Sequence, residues 1–187
     1  MPFNSSDTMR VLDLGCGVGL TPQKLSLPPD WQFIGLDIGF RSVSEAHLNF
    51  RHREFVCAAA EHMPFSDLSF DRVISNVALP YMNIPETLAE SYRVLIPGGM
   101  FVASIHPAGF TIAELWHALP HPQAALYRLW VLINGIIFHL SGRTLGESFQ
   151  TERGIRIALQ RAHFADVRFR RDPKHWFVEA TKPPDFP

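Results

Sequence analysis

Short apolar runs, each closed by glycine, proline or an acidic residue, alternate with stretches of helical composition along the first hundred positions. RVLDL (10–14), FIGLD (33–37), EFVCA (54–58), DRVISN (71–76) and GGMFVASIH (98–106) read as five strands. Runs this short and this continuously apolar suit strands covered on both faces. Between them, Thr21 followed by Pro22 predicts an N-cap and a first-turn proline for a short helix. Residues 41–49 have helical composition, and Pro85 opens a helix through about Val94. This strand–helix alternation predicts a parallel sheet wrapped by helices.

The rhythm then changes. Residues 107–150 read as irregular and then helical, and a helix follows at 152–162. Two strands close the pattern, VRFRR (167–171) and HWFVEAT (175–181). The three residues between them are too few for a crossover helix, so the pair is expected to be an antiparallel hairpin. The expected architecture is an α/β, Rossmann-like, mostly parallel sheet of seven strands, with helices on both faces and an antiparallel C-terminal hairpin. One domain over residues 1–187 is expected, with 107–150 as a helical, lid-like insertion.

Composition adds bounds rather than identity. With 187 residues, 47% hydrophobic and 19% charged, the chain has the make-up of an ordinary globular domain. A net charge of −1 sets up no field that would draw nucleic acid or an anionic membrane. The Arg/Lys residues between Arg153 and Lys174 are interleaved with Glu152, Asp166 and Asp172, as on a solvated face. Two cysteines, Cys16 and Cys57, make neither a disulfide framework nor a metal cluster, and both are expected to be small buried apolar residues. His117 and His121 have ligand-like spacing, but Pro120 between them breaks the helical turn, so no metal site is expected. The N-terminal stretch MPFNSSDTM lacks a secretory pattern, and a cytoplasmic location is the expectation.

Chemistry concentrates in VLDLGCGVGL (11–20). A strand running into a glycine turn and then a helix brings backbone N–H groups to the carboxyl end of the sheet, where such sheets bind ligands. Asp37 ends the second strand, where a carboxylate can accept hydrogen bonds from both ribose hydroxyls. The pair reads as a nucleoside site. The dinucleotide spacing G-x-G-x-x-G is not met: Gly15 and Gly17 fit, but Leu20 stands at the third position. Asp13 beside two phosphates would be repulsive, by on the order of a few kcal/mol at low effective dielectric, whereas a cationic ligand would be attracted.

VLDLGCGVGL, IGLDIG, AEHMPFSDLSFDRVISNVALPYM and RVLIPGGMFVAS, in that order, resemble the successive motifs of class I S-adenosylmethionine-dependent methyltransferases. The resemblance is to the small-molecule branch that includes quinone-biosynthesis-like enzymes. It resumes at 152–182, where IALQRAHFADVRF and WFVEATKP resemble the last helix and closing hairpin of that family. It implies S-adenosyl-L-methionine as cofactor, S-adenosyl-L-homocysteine as product, and no metal. It assigns Asp13, Gly15, Cys16 and Gly17 to the amino-acid moiety of the cofactor and Asp37 to the ribose. Ile38, Ala60 and Glu61 fall to the adenine, and Asn76 closes the site. Ala59 stands where the family often has an aspartate that reads the adenine amino group.

On the acceptor side, Tyr81 and His106 follow the fourth and fifth strands and are the candidates to touch substrate or move a proton. SNVALPY does not meet the Asn/Asp-Pro-Pro-aromatic pattern of enzymes that methylate amino groups of nucleic acids. The expected partner is therefore a small, apolar or aromatic acceptor rather than a nucleic acid. The alternatives are an RNA methyltransferase and a non-catalytic cofactor-binding or scaffold protein.

In LYRLWVLINGIIFHL (126–140), Leu126, Leu129, Trp130, Ile133, Ile136, Ile137 and Leu140 recur at helical spacing and form one apolar face. Left in water, seven such side chains would offset more than a typical domain's net stability, at about 1.5–3 kcal/mol each. Something is expected to cover them. A lid over an apolar pocket is the preferred reading, with core packing, a homodimer contact or a membrane-surface contact as alternatives.

Overall fold

The computed structural model describes residues 9–105, 121–144, 147–171 and 176–184. Five strands come first: β1 (Arg10–Leu14), β2 (Gln32–Asp37), β3 (Glu54–Cys57), β4 (Phe70–Ser75) and β5 (Leu95–Ile105). Between them lie α1 (Thr21–Lys24), α2 (Phe40–Asn49), a 3-10 turn at Leu79–Tyr81, and α3 (Ile84–Val94). Then follow α4 (Pro122–Ser141), α5 (Glu152–Arg161), β6 (Ala165–Arg171) and β7 (Trp176–Thr181). The strands form one sheet in the order β3-β2-β1-β4-β5-β7-β6. The first five pair in parallel, and β7 runs antiparallel to both β5 and β6. This is the architecture the apolar runs predict.

Burial explains why β1 is so apolar. Its side chains alternate between two cores on opposite faces of the sheet. Leu12 and Leu14 join the larger core with Phe70, Leu88, Phe101 and Leu159, under α3 and α5. Val11 joins the smaller one with Phe33, Val43, Ala46 and Phe55, under α2. The chain winds outward through β2 and β3 on one side of β1 and through β4 and β5 on the other. The crevice for a ligand therefore opens at the carboxyl ends of β1 and β4, where the strand order reverses.

Three local expectations are corrected. Thr21 is the first residue of α1 rather than its cap; Leu20 holds the cap position without a side-chain hydrogen bond. The Thr21 side chain is buried and lies toward the Asp13 carboxyl. Strand β5 begins at Leu95, ahead of the glycine pair. Leu95 pairs with Phe70 and Met100 with Arg72, so the shift in register absorbs Pro97, Gly98 and Gly99. Gly98 N–H donates to Lys182 O, and Lys182 N–H donates to Gly99 O. The Lys182 ammonium is also buried, donating to Tyr92 O and Leu95 O at 2.9 and 2.8 Å, so the segment leaving β7 is clasped to the start of β5. Third, Cys16 is buried but Cys57, the last residue of the edge strand β3, is exposed, its thiol donating to Ile38 O at 3.6 Å.

Helix α4 corrects the reading of its own sequence. The inward residues are Val131, Asn134, Gly135 and Phe138, and the seven apolar residues at helical spacing point outward. The inner side is dictated by what it meets. Gly135 faces the Phe149 ring, which a Cβ would approach to 2.2 Å. Asn134 Nδ2 donates to Glu147 O, and Arg128 pairs with the Glu147 carboxylate at 3.3 Å. Core packing is thus not what the apolar stripe does.

Candidate functional site

The turn after β1 owes its shape to glycine. Gly15 and Gly17 have φ of +70° and +54°, which side-chain-bearing residues rarely adopt. At Gly15 the fit is also steric: an added Cβ would lie 2.2 Å from the Ala78 side chain. At Gly17 an added Cβ would meet nothing within 4 Å, so that main chain faces open space. Gly15 and Cys16 N–H both donate to Leu36 O, which pins the turn to the end of β2.

Asp37 sits where β2 ends and is half-buried. Its Oδ2 accepts from Gly17 N–H at 2.9 Å and its Oδ1 from Gly39 N–H at 2.8 Å. Each carboxylate oxygen has a second acceptor position, so two further donors, such as vicinal hydroxyls, can still be received. The main-chain bonds fix the carboxylate's orientation before any ligand arrives.

Asp13 is stranger. It is fully buried, and no donor reaches either oxygen with hydrogen-bond geometry. Burial pushes its carboxyl up to about 7. The Thr21 hydroxyl, close but outside hydrogen-bonding geometry, softens the shift, and the Asp37 carboxylate adds to it. A buried unpaired carboxylate is costly unless something compensates it. Cys16 beside it is likewise pushed up to about 12, chiefly by burial, and is an inert thiol rather than a nucleophile.

A cleft of about 270 Å³ opens over this turn. Of the residues singled out in the sequence, Gly15, Asp37, Ile38, Ala60, Glu61 and Tyr81 line it. Asp13, Cys16 and Gly17 lie beneath or beside it in the turn. Asn76 is not among the lining residues; its Oδ1 accepts from Ser104 Oγ at 3.4 Å. Glu61 is partly committed to structure, its Oε1 accepting from Asn83 N–H at the start of α3. His106 lies outside the described residues.

Ala59, noted in the sequence for the aspartate it replaces, also lines the cleft, as do Leu36, Ala58, Ala78 and Met82, for which nothing in the sequence offered a chemical reason. Val77 carries a second hidden feature. It is β-branched yet has φ +66°, a strained conformation held by its N–H donating to Ser104 Oγ at 2.6 Å. The wall at 58–67 is anchored from behind by Arg93, which donates to Met63 O and Phe65 O and pairs with Glu90 and Asp67.

The sequence profile of the methyltransferase domain family matches residues 12–103, the stretch that builds the turn and the cleft. Over that stretch the chain carries a methyltransferase domain of the class I S-adenosylmethionine-dependent kind. It is 34% identical over 131 residues to a malonyl-[acyl-carrier protein] O-methyltransferase of Marinomonas sp., a match covering 66% of this chain and 47% of that protein. It is 35% identical over 101 residues to 24-methylenesterol C-methyltransferase 2 of Arabidopsis thaliana, covering 50% of this chain and 28% of that one. The chain thus spans less than half the length of these curated relatives. The fold matches a solved S-adenosylmethionine-dependent methyltransferase from Methanosarcina mazei with TM-score 0.67 at 21% identity, covering 96% of this chain and 95% of that one.

The methyltransferase cofactor fits the residues present. S-adenosylmethionine carries a cationic amino group and a sulfonium, and the buried Asp13 carboxyl, without a hydrogen-bond partner under the glycine turn, is a group that such a cation would ionise and satisfy. Asp37 offers the acceptor capacity a ribose diol needs, and Ile38, Ala58, Ala59 and Ala60 present a mostly apolar wall for a flat base. No group of three or more His, Cys, Asp or Glu side chains able to hold a metal occurs among the described residues. The basic C-terminal hairpin is charge-paired at two points, Arg170 with Glu179 and Arg171 with Glu152.

Proposed function

We propose that the protein transfers a methyl group from S-adenosylmethionine to a small acceptor of apolar or aromatic character. The observation that carries this reading is the pairing of Asp13, buried and without a hydrogen-bond partner, with Asp37, pre-oriented at the edge of the cleft. The bound cofactor supplies a methyl group already activated on a sulfonium, so the reaction is an in-line displacement that leaves S-adenosylhomocysteine. The protein's contribution is alignment and exclusion of water. In this reading Asp37 holds the ribose, the main chain at Gly15–Gly17 receives the amino-acid end, and Asp13 supplies its counter-charge. Acceptor contact is assigned to Tyr81, which is 65% exposed and lines the cleft beside Met82. Those two side chains give the mouth its apolar and aromatic character.

Calorimetric titration of S-adenosylhomocysteine tests the reading. Wild type is expected to bind, and Asp37→Ala to bind at least ~100-fold more weakly, a difference of about 2.7 kcal/mol. Absence of binding to wild type would end the enzyme reading.

A further inference from the structure

Helix α4 is apolar on both sides: Val131, Asn134, Gly135 and Phe138 face the protein, and a wider row of Leu, Ile and Trp faces water. The outer side is also uncharged, since Arg128 is turned to Glu147 and His139 bonds through Nδ1 to Thr151 Oγ1. By length and composition these 20 residues could cross a membrane. The inner side, however, is committed to the protein through the buried Phe138 and through Gly135 against Phe149.

The arrangement of the outer side is what a second copy of the same helix would match. Leu126, Trp130, Ile133, Ile137 and Leu140 alternate by four and three, the spacing of a helix–helix seam. Leu129 and Ile136 widen the seam on one side. The set is also symmetric about Ile133. If a second α4 is laid antiparallel across a two-fold axis there, Leu126 meets Leu140, Leu129 meets Ile137, Trp130 meets Ile136, and Ile133 meets its equivalent. A two-fold interface requires this kind of self-complementarity. Every pair is apolar, and no charge is brought against its like. The exposures of these residues, from 36% at Ile137 to 67% at Leu126, correspond to roughly 670 Å² per copy if fully covered, against the ~800 Å² per partner of a standard interface, so flanking side chains must supply the remainder.

We infer that the protein is a homodimer built on an antiparallel α4–α4 contact centred on Ile133. Tyr127 stacks on Trp130 with ring centroids 6.1 Å apart, extending the apolar row at the start of the helix. The proposal does not depend on methyl transfer, because it concerns the outer side of α4 alone.

Sedimentation equilibrium of the full chain tests it, with circular dichroism melts verifying that each variant is folded. Wild type is expected to be dimeric at micromolar concentration. Ile133→Glu and Ile133→Lys, each placing like charges across the axis, are expected to dissociate at least ~100-fold more readily. An equimolar mixture of the two variants, whose charges are opposite, is expected to recover association by about tenfold or more over either alone. A monomeric wild type would overturn the proposal, as would dimers unaffected by both substitutions or a mixture no tighter than its components. Flotation with phosphatidylcholine/phosphatidylserine vesicles distinguishes the remaining occupant: a monomer that floats with vesicles through α4 would assign the face to a lipid surface and overturn the proposal.

Discussion

The carboxyl end of β1 and the outer side of α4 break opposite halves of the same rule. At Asp13 a charged group lies where water cannot reach it; on α4 a row of Leu, Ile and Trp lies where water does. Neither arrangement stabilises the isolated chain. The buried carboxyl costs desolvation, and the exposed stripe forgoes the hydrophobic stabilisation that burial would give. The difference lies in what would complete each. Asp13 needs a compact cation that fits under a rigid turn, whereas α4 needs a broad apolar surface with no particular chemistry. The proposed function fills the first with a small molecule, and the proposed dimer covers the second with a macromolecular neighbour.

The comparison can be pressed hardest at Asp13. Its carboxyl titrates near 4 when unfolded and about 7 when folded, so between these values the native state holds a proton that the unfolded chain has released. Stability of the ligand-free protein should therefore fall as pH rises from about 4 to 7, then level off. Three pH units correspond to about 4 kcal/mol as an order of magnitude. Urea unfolding followed from pH 5 to 8 should show this decline in wild type and a flatter profile in Asp13→Asn. A wild-type slope retained in the variant would assign the titration to other groups. Cofactor-product affinity should move the other way, strengthening as the carboxyl ionises.

The two sides of α4 offer the next contrast. Phe138→Ala empties a fully buried position and should cost about 3 kcal/mol by chemical denaturation. Ile136→Ser, on the outer side, should change the stability of the monomer by no more than about 0.5 kcal/mol when measured at nanomolar concentration. Comparable losses at the two positions would mean that the outer side is packed after all. A gain rather than a loss is expected at Val77. Val77→Gly relieves the left-handed strain and should raise stability by about 1 kcal/mol, read as a higher melting temperature. A loss instead would mean that the side chain contributes packing that outweighs the strain.

The order of strands and helices was legible because each strand of the parallel sheet is a short apolar run, and three residues between the last two runs forced a hairpin. Asp37 and the paired glycines were legible because backbone geometry and hydrogen-bond capacity restrict the residue types that can stand there. The start of β5 was hidden, since Pro97-Gly98-Gly99 punctuates like a turn but is taken up by a register shift against β4. Helix α4 was misleading for a related reason. A count of apolar residues identifies a face but not its partner, and the partner here is set by Phe149 and Glu147, which require a glycine and an asparagine opposite them. Ala58 and Ala78 carry no signal because what they contribute is the space they leave empty.

The position of β7 has a consequence for how the molecule is assembled. β5 gains its outer neighbour only when residues 176–181 return to it, some 70 positions further along the chain. Until then β5 is an open edge with unpaired main-chain groups, the kind of surface that recruits strands from other molecules. Such long-range closure is intrinsically slow, so the hairpin's docking should be the late step in folding and the stage most exposed to aggregation. The Lys182 clasp, which joins the segment after β7 to the start of β5, then acts as the latch on that step.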